Sequence, residues 1–275
     1  MTTLPTQARP RIKAPPAKPA GTAPRGFGST SRKDAWWLAP AVQGTLFTVC
    51  ATYLFVSGIL LWPIFGDQIP YEVDGYLSPL FSPLIAPDWM PTWLSPGLLI
   101  LWIPLGFRAT CYYYRKAYYR FYFQDPPGCA VAEPTIHRRY RLEAALPFIL
   151  QNLHRFFLYL AFVPLFFLWV DAAQSLRFEG QWRIGLGVVV LAVNAALLTG
   201  YSLSCHSLRH LVGGRLDCFS CTRRAQVRYG AWQRLTSLNR NHMAWAWTSL
   251  ISVTLADVYI RLVAVGAIVD PAIHF

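Results

Sequence analysis

Residues 148–170 read FILQNLHRFFLYLAFVPLFFLWV, a nearly uninterrupted apolar stretch of 23 residues. Arg155 is its only charged side chain. At 1.5 Å per residue, a helix of this length crosses the roughly 30 Å hydrocarbon core of a bilayer. The stretch therefore predicts a transmembrane helix that begins with His154 and Arg155 near one membrane surface.

Four further apolar runs of similar length accompany this one. The chain is 54% hydrophobic and 14% charged, whereas an average soluble domain has about 25% charged residues. Its mean hydropathy is +0.31. We therefore predict an all-α integral membrane protein, a five-transmembrane-helix bundle formed by residues 36–275. The predicted spans are about 36–65, 96–120, 148–171, 183–210 and 241–268.

Basic residues alternate between the connections and predict the orientation. Cytoplasmic loops of membrane proteins carry an excess of Lys and Arg. The pattern places the amino terminus in the cytoplasm and the carboxyl terminus outside. The net charge of +12 is explained by this orientation, so no nucleic-acid partner is predicted. The counts of Lys and Arg are seven before the first span, none in 66–95, seven in 108–147, two in 171–183, seven in 206–241 and none after Arg261.

The amino-terminal segment, residues 1–35, has seven Lys or Arg, six prolines and Phe27 as its only aromatic residue. Such a composition cannot bury a core. It also lacks the apolar segment of a cleaved signal peptide. We predict a Pro-rich basic arm that lies on a cytoplasmic partner.

Residues 205–221 form a cytoplasmic loop rich in soft metal ligands. His206 and His210 are four residues apart, so a helix would present both imidazoles on one face. Two adjacent glycines at 213–214 can then reverse the chain, so that a Cys-x-x-Cys pair faces the histidines. The predicted metal site consists of His206, His210, Cys218 and Cys221, with Cys205 as an alternate ligand.

The ligand types leave the metal open between structural zinc and a [2Fe–2S] cluster of the Rieske arrangement, in which two His bind one iron and two Cys the other. The competing interpretation is a pair of structural cysteines beside surface histidines. Because imidazole ligands raise the potential of such a cluster, it would pass electrons to a moderately high-potential acceptor. A quinone in the adjacent bilayer is the natural candidate.

A second polar cluster lies at the same membrane edge. A quinone head group needs hydrogen-bond donors for its carbonyl oxygens, and polar groups at the edge of a bundle usually face its interior. Snorkelling and helix capping are the alternatives for the arginines. His154 and His242 are also candidate axial ligands of a single haem b. The predicted quinone-binding residues are Asn152, His154, Arg155, His242 and Trp245.

Asp257 and Arg261 lie four residues apart, deep in the last span. A mutual ion pair would remove two isolated charges from lipid. The alternative is a proton path, but the sequence shows no further residues that would continue such a path.

The sequence Leu153-His154-Arg155 at the cytoplasmic start of a span, in a chain with five predicted spans and no soluble catalytic domain, resembles the membrane-anchor subunit of succinate dehydrogenase (succinate:quinone oxidoreductase). The whole chain is most similar to an actinobacterial form of this subunit. The resemblance implies partner flavoprotein and iron–sulfur subunits, quinone reduction at the anchor, and a place in the cell inner (plasma) membrane. The dicarboxylate-oxidising site would belong to the flavoprotein. A higher oligomer of the complex is left open.

This sequence departs from the common haem-bearing anchors because its first two spans contain no histidine, which excludes a two-haem arrangement. The Cys/His loop suggests an iron–sulfur centre in place of haem. The rival function is a non-redox membrane scaffold or transporter with a zinc-stapled cytoplasmic loop.

Overall fold

The computed structural model describes residues 34–65, 70–122, 144, 146, 148–214 and 216–275. The predicted arm, residues 1–35, therefore lies outside the described residues except for its last two. The described chain is mostly helical. Its α-helices are α1 Leu38–Phe55, α2 Trp62–Phe65, α3 Leu98–Ala109, α4 Tyr112–Phe121, α5 His154–Gln174, α6 Leu186–Leu203, α7 His206–Gly213, α8 Arg223–Arg240 and α9 His242–Ala264.

Four helical segments are long and apolar enough to cross a membrane, and they coincide with four of the five predicted spans. The four segments are Leu38–Phe65, Ile149–Gln174, Leu186–Leu203 and His242–Ala264. The first consists of α1 and α2, joined by a π-helical turn at Val56–Leu60, and the second consists of α5 and the 3-10 turn before it.

The predicted span at 96–120 is two helices and not one. Cys111 has an extended backbone, with φ −72° and ψ 136°, and this separates α3 from α4. With 12 residues, α3 is only about 18 Å long. The count of five spans, and with it the orientation of the two termini, stays a prediction.

The fourth and fifth predicted spans are shorter than expected. Cys205 is extended, at φ −61° and ψ 135°, so α6 does not continue through His210 and α7 begins separately. The last helix, α9, ends at Ala264, two residues before Gly266 takes a left-handed φ of 72°. As predicted from the paired glycines, α7 ends at Gly213.

Small β-sheets, which the all-α prediction missed, cover the end of the bundle opposite the Cys/His loop. Strands β1 (Glu72–Val73) and β2 (Tyr76–Leu77) form a hairpin. Strands β3 (Arg177–Phe178), β4 (Gln181–Gly185) and β5 (Ala272–His274) form an antiparallel sheet in that order. Both hairpins turn through two residues with positive φ, Asp74-Gly75 and Glu179-Gly180, which matches the right-handed twist of paired strands.

The core runs between the long helices. Helix α6 packs against both α5 and α9, and α4 packs against α1. Large side chains fill the centre, including Phe107, Tyr114 and Tyr201. Other apolar side chains, such as Phe156 and Phe166 on α5, point outward. A bundle with both a buried and an exposed apolar face is suited to a surrounding lipid phase.

Candidate functional site

Four helices begin at one end of the bundle, and each starts with a thiol or an imidazole. His154 is the first residue of α5 and His242 the first of α9. Cys111 is the N-cap residue of α4, and Cys205 is the N-cap residue of α7. The local folding therefore collects two imidazoles and two thiols at this end of the bundle.

His154 and Cys205 form the first pair. The His154 Nε2 atom lies 3.3 Å from the Cys205 Sγ atom. On the other side of the ring, His154 Nδ1 is 2.9 Å from the Thr110 hydroxyl. The Phe107 ring lies parallel to this imidazole, with centroids 4.7 Å apart and an interplanar angle of 6°. These contacts fix the orientation of the ring.

His242 and Cys111 form the second pair. The His242 Nε2 atom lies 3.8 Å from the Cys111 Sγ atom. Its Nδ1 atom is 2.7 Å from the Ser204 hydroxyl. The Tyr201 ring stacks on the imidazole at 5.3 Å and 7°. Both cysteines and His242 are at most 1% exposed, so this is an interior cluster and not a surface patch.

A cavity of about 300 Å³ opens beside the two pairs, and His154, His242 and Cys111 line it together with Asn152 and His206. His206 lies outside the membrane-spanning segments. Burial, and then the nearby Arg209, lowers the pKa of His206 below its usual value. The histidine is therefore held neutral beside the cavity.

The structure brings together three of the five predicted quinone-binding residues. Asn152, His154 and His242 line the same cavity, whereas Arg155 and Trp245 are elsewhere. Arg155 is exposed, with its guanidinium 3.3 Å from the His210 ring. The Trp245 indole N–H is buried and makes no hydrogen bond among the described residues.

The structure does not bring the four predicted metal ligands together, and the metal site inferred from their spacing stays a prediction. Cys218 and Cys221 form a disulfide, so neither sulfur is a free thiolate. His206 instead contacts the His242 ring, at 5.7 Å between centroids. Across the described part of the chain, no three His, Cys, Asp or Glu side chains converge closely enough to hold a single metal ion.

The reason is the path of the chain after α7. This helix carries the chain away from Cys205, and the following loop packs on α8, where the Phe219 and Tyr229 rings are 4.8 Å apart. The Cys-x-x-Cys loop is thereby held against α8. No spacing in the sequence indicates the α7–α8 hairpin, so the sequence predicts that the loop folds back on the histidines.

The alternative of a single haem held by His154 and His242 stays a prediction. Each Nε2 atom of the two rings faces a cysteine sulfur, and each Nδ1 atom lies within hydrogen-bond distance of a hydroxyl.

Comparison with known families gives a match over most of the chain. The model described as "Actinobacterial succinate dehydrogenase subunit SdhC" matches residues 41–266. The chain belongs to this SdhC family. The resemblance predicted from the sequence is thereby confirmed, and this chain is a subunit of succinate dehydrogenase, an oxidoreductase complex.

A solved structure agrees with this assignment. This chain is similar to a chain of the Mycobacterium smegmatis Sdh1 complex in the apo form, with a TM-score of 0.75 and 39% sequence identity. The match covers 88% of this chain and 92% of the other. No curated protein matches significantly. Every residue of the two Cys–His pairs lies within the region that defines the SdhC family.

The sequence predicts only part of the Cys–His cluster. It does not indicate Cys111, which is far in sequence from the other cysteines and lies in a predicted continuous span. It predicts Cys205 only as an alternate metal ligand, and the two histidines as quinone-binding residues or, alternatively, as ligands of a single haem. The break at Cys111 turns its side chain toward α9, and no local spacing in the sequence indicates that break.

Proposed function

We propose that this SdhC anchors succinate dehydrogenase in the cell inner (plasma) membrane and passes electrons from an iron–sulfur subunit to membrane quinone. The observation that carries the proposal is the buried cluster of two thiols and two imidazoles at one end of the bundle. A chain that acted only as an anchor would not need to bury four such groups together, because polar groups within a membrane protein are costly.

The donor set fits a [2Fe–2S] centre of the Rieske arrangement, which takes two cysteines and two histidines. The proposed ligands are Cys111, Cys205, His154 and His242, in place of the set predicted from spacing. The four side chains lie at the same end of the bundle, where two imidazole nitrogens and two thiol sulfurs would hold the cluster. The hydroxyls of Thr110 and Ser204 would orient the imidazoles from behind, as second-shell partners do at metal sites.

When bound, the cluster would supply one-electron transfer at a potential above that of all-cysteine clusters. The residues of this chain would hold the centre at helix starts, where both cysteines and His242 are at most 1% exposed. They also set its position between the cytoplasmic surface and the membrane interior. Both features favour relay of electrons to a quinone, which is itself confined to the bilayer.

The partner surface is proposed to be the face beside this cluster. The positive-inside pattern places that face in the cytoplasm, and α8 presents the exposed side chains of Arg223 and Arg224 there. The flavoprotein and iron–sulfur subunits would dock on this side, with the basic arm of residues 1–35 along them. Electrons would then enter through the 300 Å³ cavity next to His154 and His242.

The test is made on the whole purified complex. Replacing Cys111 or Cys205 by Ser should remove about two irons per complex and one reduced EPR signal, because a hydroxyl is a poor substitute for a thiolate on a soft site. Cys218→Ser is the matched control and should leave both unchanged. If Cys218→Ser removes the signal and Cys205→Ser does not, the original ligand set is right and the revised one is wrong.

The rival function is a scaffold stapled by zinc in the loop 205–221, where Cys218 and Cys221 lie next to each other. Stoichiometric zinc in the purified complex, lost in Cys218→Ser, would support it.

A further inference from the structure

Residues 78–97 connect β2 to α3 and, although they contain no α-helix, they begin deep inside the bundle. The 3-10 turn Pro79–Phe81 is buried throughout. Beside it, the Ser78 hydroxyl donates a hydrogen bond to Asp257 on α9. Asp257 is seven residues before the end of this helix at Ala264. At 1.5 Å per residue, the turn therefore lies about 10 Å inside the end of the span.

The connection returns to the same depth before α3 begins. The Ser95 hydroxyl donates to the Gly58 carbonyl over 2.5 Å. Gly58 is seven residues before Phe65, where the first membrane-spanning segment ends. A Cβ atom at Gly97 would lie 2.8 Å from the same carbonyl oxygen, so the absence of a side chain at this position permits the close approach. Both ends of the connection therefore lie about 10 Å inside the ends of two spans.

Polar groups at both buried ends are paired. The Ser82 hydroxyl donates to the Asp171 carboxylate near the end of α5, and the Ser95 hydroxyl oxygen accepts from the Gly97 N–H at 3.2 Å. Irregular backbone is tolerated at membrane depth only where protein buries it or where it lines a water-filled cavity. The two ends meet the first condition, since Ser82 and Ser95 are at most 2% exposed. The connection is therefore built like a re-entrant loop.

The middle of the connection is exposed and apolar. Residues 83–94 read PLIAPDWMPTWL, and Asp88 is their only charged side chain. Ile85, Trp89 and Trp93 are 45%, 76% and 64% exposed. Large apolar side chains that are exposed together mark a contact with a protein partner, a ligand or a membrane. The position of these side chains relative to the spans favours one of the three.

The exposed part lies at the edge of the membrane-spanning region. The Trp62 indole N–H donates to the Thr92 carbonyl at 3.1 Å, and Trp62 is three residues before the end of the first span. Ile64 and Phe65, at the end of that span, are also exposed. The apolar surface of residues 83–94 is therefore level with the end of a helix that the bilayer surrounds. Trp side chains are enriched at this level, where the ring meets lipid and the N–H group meets water.

We propose that residues 78–97 form a re-entrant loop and that Ile85, Trp89 and Trp93 insert into the phospholipid headgroup region of the bilayer. The positive-inside pattern places this end of the bundle in the outer leaflet. The loop also completes the second crossing. Helix α3 is only about 18 Å long, against a hydrocarbon core of roughly 30 Å, and the loop supplies about 10 Å of the remaining depth. The proposal does not depend on the electron-transfer role.

The test is made on the complete complex in its native membrane. Ile85, Trp89 or Trp93 is replaced by the photoreactive residue benzoylphenylalanine, which on irradiation joins to a C–H group that touches it. We expect a phospholipid adduct at all three positions, detected by the mass of the peptide that carries the residue. The same replacement at Phe275 is the matched control. Phe275 is an aromatic side chain, 71% exposed, directly after β5, and it should give no lipid adduct.

Two outcomes would overturn the proposal. Adducts with a second copy of this chain or with another subunit would show that residues 83–94 form a protein interface. Absence of any adduct at the three positions would place the loop in water, which has no C–H group to join. A phospholipid adduct at Phe275 equal to those in the loop would also count against it, because the loop would then be no closer to lipid than the sheet.

A second measurement uses a smaller substitution. The rates at which Ile85→Cys and Glu179→Cys react with a hydrophilic maleimide are compared in the purified complex, held in lipid nanodiscs and read by peptide mass spectrometry. Because the reactive thiolate is disfavoured in an apolar phase, Ile85→Cys should react about tenfold more slowly, although both positions are exposed in the structure. Equal rates would show that residue 85 is in water and that the loop does not enter the bilayer.

Discussion

Arg261 donates from Nε to the Asp257 carboxylate over 2.9 Å, one turn away on α9. Asp257 is completely buried. It also accepts hydrogen bonds from Tyr53 at 2.7 Å and Ser57 at 2.6 Å. The ion pair predicted from the four-residue spacing is confirmed, and the hydroxyls join α9 to α1 at the end of the bundle opposite the Cys–His cluster.

The first prediction concerns this pair. Asp257→Ala should lower the free energy of unfolding by about 3–5 kcal/mol, because it leaves the Arg261 cation buried without its partner. Replacing both residues, with Leu at 257 and Met at 261, should cost less than the single change, because no uncompensated charge remains. Thermal unfolding of the detergent-solubilised complex measures both. A double variant that is less stable than Asp257→Ala would show that the hydrogen bonds, and not the charge balance, hold this site.

The sequence predicted the long helices because a membrane span is a local property. Residues 148–170 are apolar without interruption, and the family resemblance carried by Leu153-His154-Arg155 led to the correct complex. The breaks at Cys111 and Cys205 were not predictable in the same way. Neither is caused by a proline or glycine at the position itself, and each is fixed by contacts with distant helices.

The site was only half predicted for the same reason. His154 and His242 were selected because each opens a span, and the structure places both at one cavity. Their cysteine partners come from other helix starts, at sequence separations of 51 and 131 residues. The Cys-x-x-Cys motif is the clearer local pattern in the sequence, but its two cysteines form a disulfide with each other.

The second prediction concerns close packing between α6 and α9. A Cβ atom at Gly200 would lie 2.5–2.9 Å from the Trp245 ring. Small residues allow membrane helices to approach in this way. Gly200→Ala should therefore cost about 1–3 kcal/mol by overpacking. Gly230→Ala, on α8, is the matched control, because nothing lies within 4 Å of that position. It should stabilise α8 by about 0.5–1 kcal/mol. Equal destabilisation by both changes in thermal unfolding would contradict the packing argument.

The third prediction concerns the α7–α8 hairpin. Arg228 on α8 donates to the Val212 and Gly214 carbonyls, both at 2.9 Å. It thereby satisfies backbone groups at the end of α7, which otherwise lack partners. Arg228→Ala should speed hydrogen exchange of the α7 amides about tenfold. Arg228→Lys should have an intermediate effect, because a Lys ammonium lacks the paired N–H donors that a guanidinium holds in a fixed geometry. Arg224→Ala, an exposed neighbour, should leave exchange unchanged. Normal exchange in Arg228→Ala would mean that α7 is held by other contacts.

The last prediction concerns orientation, on which the cytoplasmic placement of the Cys–His cluster depends. Orientation can be tested by labelling introduced cysteines with a maleimide. The native cysteines should give little background labelling, because Cys50, Cys111 and Cys205 are buried and Cys218 is bonded to Cys221. Cys129, which lies outside the described residues, is replaced by Ser. Single cysteines are then introduced at exposed positions, at Glu179 in the β3–β4 turn, at Phe275 and at Arg224 on α8.

An impermeant maleimide on intact cells should label Glu179→Cys and Phe275→Cys and should reach Arg224→Cys only after permeabilisation. The physical reason is the seven Lys or Arg in residues 206–241 against two in 171–183, because basic loops are retained in the cytoplasm. Labelling at 224 without permeabilisation would place the α7–α8 hairpin outside. The Cys–His cluster would then face away from any cytoplasmic iron–sulfur partner, and the proposed direction of electron entry would fail with it.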